Sequence, residues 1–148
     1  MIHRSRRILG IAIVPFAIAC VPSVRSHVHT EIPPVAPDST PSEVMRALRA
    51  PGNLIAAGFP DTIVKNALYV RFRDGTALHM RAVAIRAVDG EVIGGIRLGG
   101  TEGFYHIRIP VPADSGAGPL LRAFEQLNQL PQVRGVSLQF LHSPLSPH

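Results

Sequence analysis

The stretch Ala67-Leu68-Tyr69-Val70-Arg71-Phe72-Arg73-Asp74-Gly75-Thr76 decides the architecture of this 148-residue chain. Leu68, Val70 and Phe72 alternate with Tyr69, Arg71 and Arg73, the two-residue period of a strand with one buried face. Asp74-Gly75 ends the strand. Thr76 then predicts a helix from Ala77 to about Val88, with Leu78, Ala82, Ile85 and Val88 turned inward and His79 and Arg86 outward. Asp89-Gly90 closes that helix and opens a second strand, Glu91 to Leu98, whose inward side reads Val92, Gly94, Ile96 and Leu98. The Gly-rich run Gly99 to Gly103 predicts a hairpin loop. A third strand runs from Phe104 to Val111. Tyr105, Ile107 and Ile109 occupy one of its faces, and Phe104, His106 and Arg108 the other.

Downstream, Pro119 suits the first position of a helix. Leu120, Ala123, Phe124, Leu127 and Leu130 recur at helical spacing, and Pro131 closes the run. Arg134 to Leu141 follows as a fourth strand, with Val136, Leu138 and Phe140 aligned. The order β-α-β-β-α-β calls for an α+β fold. Two right-handed crossovers and one hairpin give a ferredoxin-like sandwich, a four-stranded antiparallel sheet with two helices on one face.

Upstream of this pattern the chain changes character. His3-Arg4-Ser5-Arg6-Arg7 is basic, and Ile8 to Ala19 is an uncharged apolar run of twelve residues. That length suits a signal segment and falls short of the roughly 20 apolar residues needed to span a bilayer. Residues 1–19 are therefore read as an export signal. Phe16-Ala17-Ile18-Ala19-Cys20 resembles the bacterial lipobox, with Ala17 where Leu is usual. The resemblance implies lipidation of Cys20, attachment to a membrane and a place in the bacterial cell envelope, facing the periplasm or exterior. Cleavage near Ser23 or Ser26, with Cys20 discarded, is the alternative. Cys20 is the sole cysteine, so the chain forms no internal disulfide.

Residues 20–60 carry Pro22, Pro33, Pro34, Pro37, Pro41, Pro51 and Pro60. A Pro-rich polar stretch reads as a semi-extended spacer between anchor and domain. Thr40, Pro41 and Glu43 mark one short helix within it, with Val44 and Leu48 on a shared face and Pro51-Gly52 as its stop. The domain proper is placed at 61–141 and a flexible tail at 142–148.

The formal charge of +5 and the pI near 10.6 do not describe a nucleic-acid binder. Arg4, Arg6 and Arg7 lie in the leader, and without them twelve basic side chains stand against ten acidic ones. No Lys/Arg run and no aromatic-rich basic motif follows. Enzyme chemistry finds no foothold either. There is no phosphate loop, since Gly94-Gly95 and Gly99-Gly100 sit on a strand and a hairpin. The acidic residues fall mostly in turns or on helix exteriors, and His79 and His106 read as surface histidines. His27 and His29 supply too few ligands for a metal. The sequence predicts no catalytic residue, no metal and no cofactor.

The domain carries one family resemblance. Ala67 to Thr76, Val88-Asp89-Gly90-Glu91-Val92-Ile93-Gly94-Gly95, Gly103 to Pro110, and Leu127 to Val136 together resemble the propeptides of subtilisin-like serine proteases. That resemblance covers about Asp61 to Leu141. It implies binding, inhibition or assisted folding of a subtilisin-like protease, with the helix-free sheet face packed on the enzyme. Carried onto this chain, the face is Tyr69, Arg71, Arg73, Phe104, His106, Arg108, Ser137 and Gln139. The inhibitory tail is Leu141, His142, Ser143, Pro144, Leu145, Ser146, Pro147 and His148, which would lie along the substrate cleft. Two departures stand out. No protease domain follows in this sequence, and Ser146-Pro147-His148 lacks the apolar residue usual at the terminal pocket. A non-inhibitory module binding another envelope protein through the same face is the competing expectation.

Overall fold

The computed structural model describes residues 31–58, 61–98 and 103–142. The leader, Cys20, His27, His29 and the tail from Ser143 to His148 lie outside them. The fold is α+β: the described residues form three helices and an antiparallel sheet of five strands. In chain order the elements are α1 (Ser42–Leu48), β1 (Leu54–Gly58), β2 (Asp61–Phe72), α2 (Leu78–Arg86), β3 (Glu91–Ile96), β4 (Phe104–Arg108), α3 (Gly118–Asn128) and β5 (Val133–His142). A single 3₁₀ turn, Pro51–Asn53, joins α1 to β1.

Strand β2 is the spine of the sheet. Asp61 pairs with both Gly58 and His142, and Leu68 pairs with both Ile107 and Leu138. β1 and β4 therefore share one edge of β2, while β5 runs along the other. β3 pairs with β4 and forms the outer strand beyond it. The main core lies between the sheet and helices α2 and α3. Leu68, Val70, Phe72, Tyr105 and Ile107 meet Ile85, Leu120 and Leu127 there, all essentially inaccessible to water. Each such side chain contributes about 1.5–3 kcal/mol on burial. Phe72 and Tyr105 meet edge to face, their ring centroids 5.6 Å apart.

The sheet has one strand more than the four expected, and the addition comes from the segment read as a spacer. Residues 31–58 are part of the fold. Ile32 and Ala36 are buried in the main core. Pro33 and Pro34 have no N–H to give a sheet, but their carbonyls are used. The Tyr105 hydroxyl donates to Pro33 O at 3.0 Å, and Arg81 Nη1 donates to Pro34 O at 2.7 Å and to Tyr105 at 2.9 Å. The chain then passes the outer strand β3. Arg97 holds it there through Asp38 at 2.9 Å. It reaches the opposite sheet face, where α1 packs Val44, Met45 and Leu48 against Val64, Ala67, Ile93 and Leu141. Proline spacing alone reads as a stalk. What outweighs it is a scatter of apolar residues that find partners more than 90 positions away.

Gly94 and Gly95 make this crossing possible. A Cβ on Gly94 would lie 2.4–2.7 Å from Thr40, and one on Gly95 would lie 2.7 Å from the Pro37 carbonyl. The strap (residues 37–40) can lie on β3 only because two side chains are missing.

Several inward assignments also shift. A bulge between Val92 and Gly94 resets the alternation of β3, leaving Ile96 and Leu98 exposed rather than buried. Leu78, at the first position of α2, is exposed, and Arg81 and Ala84 are buried instead. Thr76 does not cap α2: its hydroxyl donates to Arg73 O and so closes the turn after β2. Phe140 pairs with Ile63 and points to the helix-bearing side, yet remains exposed.

Candidate protein-binding surface

The helix-free face is divided by the strap and α1. Along the strands it forms rows set by the register. One row is Gly135, Arg71, Phe104 and Ile96, contributed by β5, β2, β4 and β3 in turn. The next is Ser137, Tyr69, His106 and Gly94. A third holds Ala67, Arg108 and Glu91.

The middle row is closed over at its β3 end. His106 has 0% exposure and Gln139 has 6%, so neither is the surface residue that strand alternation predicts. The reason is local. Strand geometry aims both at the helix-free side, where the strap supplies Thr40 and α1 supplies Met45 to cover them. Gln139 Oε1 lies 3.2 Å from His106 Nε2 and can only accept, so Nε2 carries the proton. Nδ1 then accepts from the Thr40 hydroxyl at 2.7 Å. Gln139 Nε2 points to the Met45 sulfur at 3.7 Å. Tyr69 stacks on the imidazole with centroids 4.3 Å apart. Burial lowers the His106 pKa to about 4, against the smaller opposing effect of the Gln139 hydrogen bond. The ring is a neutral structural pin. Burial also raises the Tyr69 pKa, with Arg49 acting in the opposite direction.

The first row is half-exposed and is not capped by the strap. The Arg71 guanidinium lies 5.8 Å from the Phe104 ring centroid, a cation–π geometry. Ile96 is 44% exposed next to Phe104, and nothing lies within 4 Å of where a Cβ on Gly135 would be. Ser137 is exposed beside it. The two remaining candidate arginines are committed elsewhere. Arg73 Nε donates to Pro131 O at 2.8 Å and braces the turn into β5. Arg108 pairs with Glu91 across β4 and β3.

The structure thus leaves Ser137 exposed and Arg71 and Phe104 half-exposed together on the predicted face. It buries His106 and Gln139, half-covers Tyr69, and ties Arg73 and Arg108 into the scaffold. Sequence reading missed Ile96, which the β3 bulge turns outward, and Thr40, read as a helix cap. A signal for the latter existed in Gly94-Gly95, two adjacent residues without side chains on an outer strand.

Among the described residues no group of three His, Cys, Asp or Glu side chains could hold a metal ion, and no helix is long and apolar enough to cross a membrane. No protein-family model matches the chain, no curated protein matches its sequence, and no solved structure matches its fold.

Proposed function

We propose that the chain is an exported, lipid-anchored module that performs no bond chemistry and binds another envelope protein on the row Gly135, Arg71, Phe104 and Ile96. One observation carries this reading. A cation, an aromatic ring, an exposed aliphatic side chain and an unfilled glycine stand side by side on rigid strands, outside the area that the chain covers with its own residues. Aromatic and Arg side chains at the centre of a contact dominate binding energy, and strands hold them preorganised. The lipobox-like Cys20 supports membrane attachment. A substitution series tests the module. With the full chain as bait, Arg71→Ala and Phe104→Ala should each weaken capture of the envelope partner about tenfold or more, while deletion of residues 143–148 leaves it unchanged. Equal capture by all three variants would refute the assignment.

A second reading draws on the strand order. β5-β2-β4-β3, with the crossover helices α2 and α3 on one face, supports assigning the domain to the ferredoxin-like class. The subtilisin propeptides that it resembles belong to the same class, which favours an inhibitor of such a protease. That reading requires the whole helix-free face, and the strap and α1 stand on part of it. It predicts inhibition by the full chain that disappears when residues 141–148 are deleted. Absence of inhibition of several subtilisins at high micromolar concentration would exclude it.

A further inference from the structure

Two of the outer strands of the sheet, β3 and β5, are finished differently. The outer strand β3 is overlaid by the strap, with Pro37 against Gly95 and Thr40 against Gly94. β5 pairs with β2 on one side, and no described residue pairs with its other side. Outer strands normally defend themselves with charge, proline or a bulge. β5 has such a device only at its start, where Arg134 is bulged out between the pairs Arg71–Gly135 and Phe72–Val133. From Gly135 to Leu141 there is neither a charge nor a proline. The irregularity near Gln139 lies on β2, where residues 64–67 stand opposite that one residue, so the outer side of β5 stays regular.

We propose that this side of β5 is a self-association site, at which a second copy of the chain adds antiparallel about a two-fold axis at Leu138 and continues the sheet. The occupant is argued from self-complementarity. The register centred on Leu138 uses the whole regular stretch, and it sets Val136 against Phe140 of the second copy, Ser137 against Gln139, and Gly135 against Leu141. Val136 and Phe140 lie on the same, helix-bearing side, since Val136 packs on the main core and Phe140 pairs with Ile63, which does too. The exposed Phe140 ring, 46% accessible, then gains a β-branched partner, and symmetry provides the pair twice. On the other side Leu141 faces the empty space at Gly135. Moving the axis to Ser137 would place Phe140 opposite the bulged Arg134, where the ladder is broken. A foreign strand has no such match here, because no charge on this stretch selects one.

A strand-edge contact is small beside standard protein interfaces, so the association is weak and concentration-dependent. Sedimentation velocity of the full chain should show a monomer–dimer equilibrium in the micromolar range. Amide hydrogen exchange between Gly135 and Leu141 should slow as concentration rises. Phe140→Lys, at an exposed position, should weaken the dimer at least tenfold and leave circular dichroism and the melting temperature unchanged. Ser137→Lys, also exposed, provides a second disruption independent of the first. A monomer up to several hundred micromolar overturns the proposal. So does a dimer indifferent to both substitutions, a dimer whose added protection lies outside this stretch, or a monomer that takes a foreign extended peptide along β5.

Discussion

Two neighbouring rows of one sheet face have opposite fates. Ser137, Tyr69, His106 and Gly94 are progressively closed over toward β3, whereas Gly135, Arg71 and Phe104 stay half-exposed and Ile96 is exposed. Strand alternation gives both rows the same orientation, so periodicity cannot separate them. The difference is made far upstream, by Thr40, 66 residues before His106, and by Met45, 94 residues before Gln139, on a helix that Leu48 anchors. A polar side chain on a strand face becomes a binding group or a structural pin according to what else in the chain reaches it.

The largest break in this contrast should come from Leu48→Ala. Leu48 is 2% exposed and anchors α1 on Val64 and Ala67. Removing it should cost about 2–4 kcal/mol in urea unfolding and should open the middle row to solvent, seen as faster hydrogen exchange at His106 and Tyr69. Acid should act on the same row. The unfolded ring binds its proton near pH 6.5 and the folded one near 4, so between these values the unfolded chain holds more protons. Stability should therefore fall as pH drops through that window, by up to about 3 kcal/mol, and level off below it. In His106→Gln, stability should lose most of that dependence, as read by denaturation at pH 7, 5.5 and 4.

Gly94→Ala should have a smaller effect. The added methyl meets Thr40, and the resulting shift should cost about 1–3 kcal/mol. Trypsin cleavage at Arg46 and Arg49 would report the loosened α1, and unchanged cleavage would show that the strap yields without release. The smallest effect on stability belongs to the half-exposed row. Arg71→Ala should change it by about 1 kcal/mol, the contribution of a half-exposed cation–π pair.

The fold was legible where local pattern and tertiary packing agree. Leu68, Val70 and Phe72, Tyr105 and Ile107, and the α3 series Leu120, Ala123 and Leu127 all point inward as their spacing indicates. It was not legible where one residue changes the phase. The extra residue near Ile93 reverses Ile96 and Leu98, and no composition signal marks it. β1, Leu54 to Gly58, is short and Ala-rich, and exists because β2 extends back to Asp61 and offers it a ladder. For the candidate surface, alternation placed these residues on one face, but only long-range contacts show which part of that face the chain itself covers. Gly94-Gly95 was visible from the start, and its meaning depended on knowing that the chain passes over it.

Burial of Ile32 sets how far the domain can stray. If Cys20 carries lipid, the fold is tethered by twelve residue steps rather than by forty. A fully extended chain covers about 3.3–3.6 Å per residue, so the leash is at most about 40 Å instead of about 140 Å. Such a leash would confine the domain to a layer roughly one bilayer deep above the membrane. A partner would then have to come down to that layer, which would favour targets that are themselves surface-bound over those crossing the open compartment.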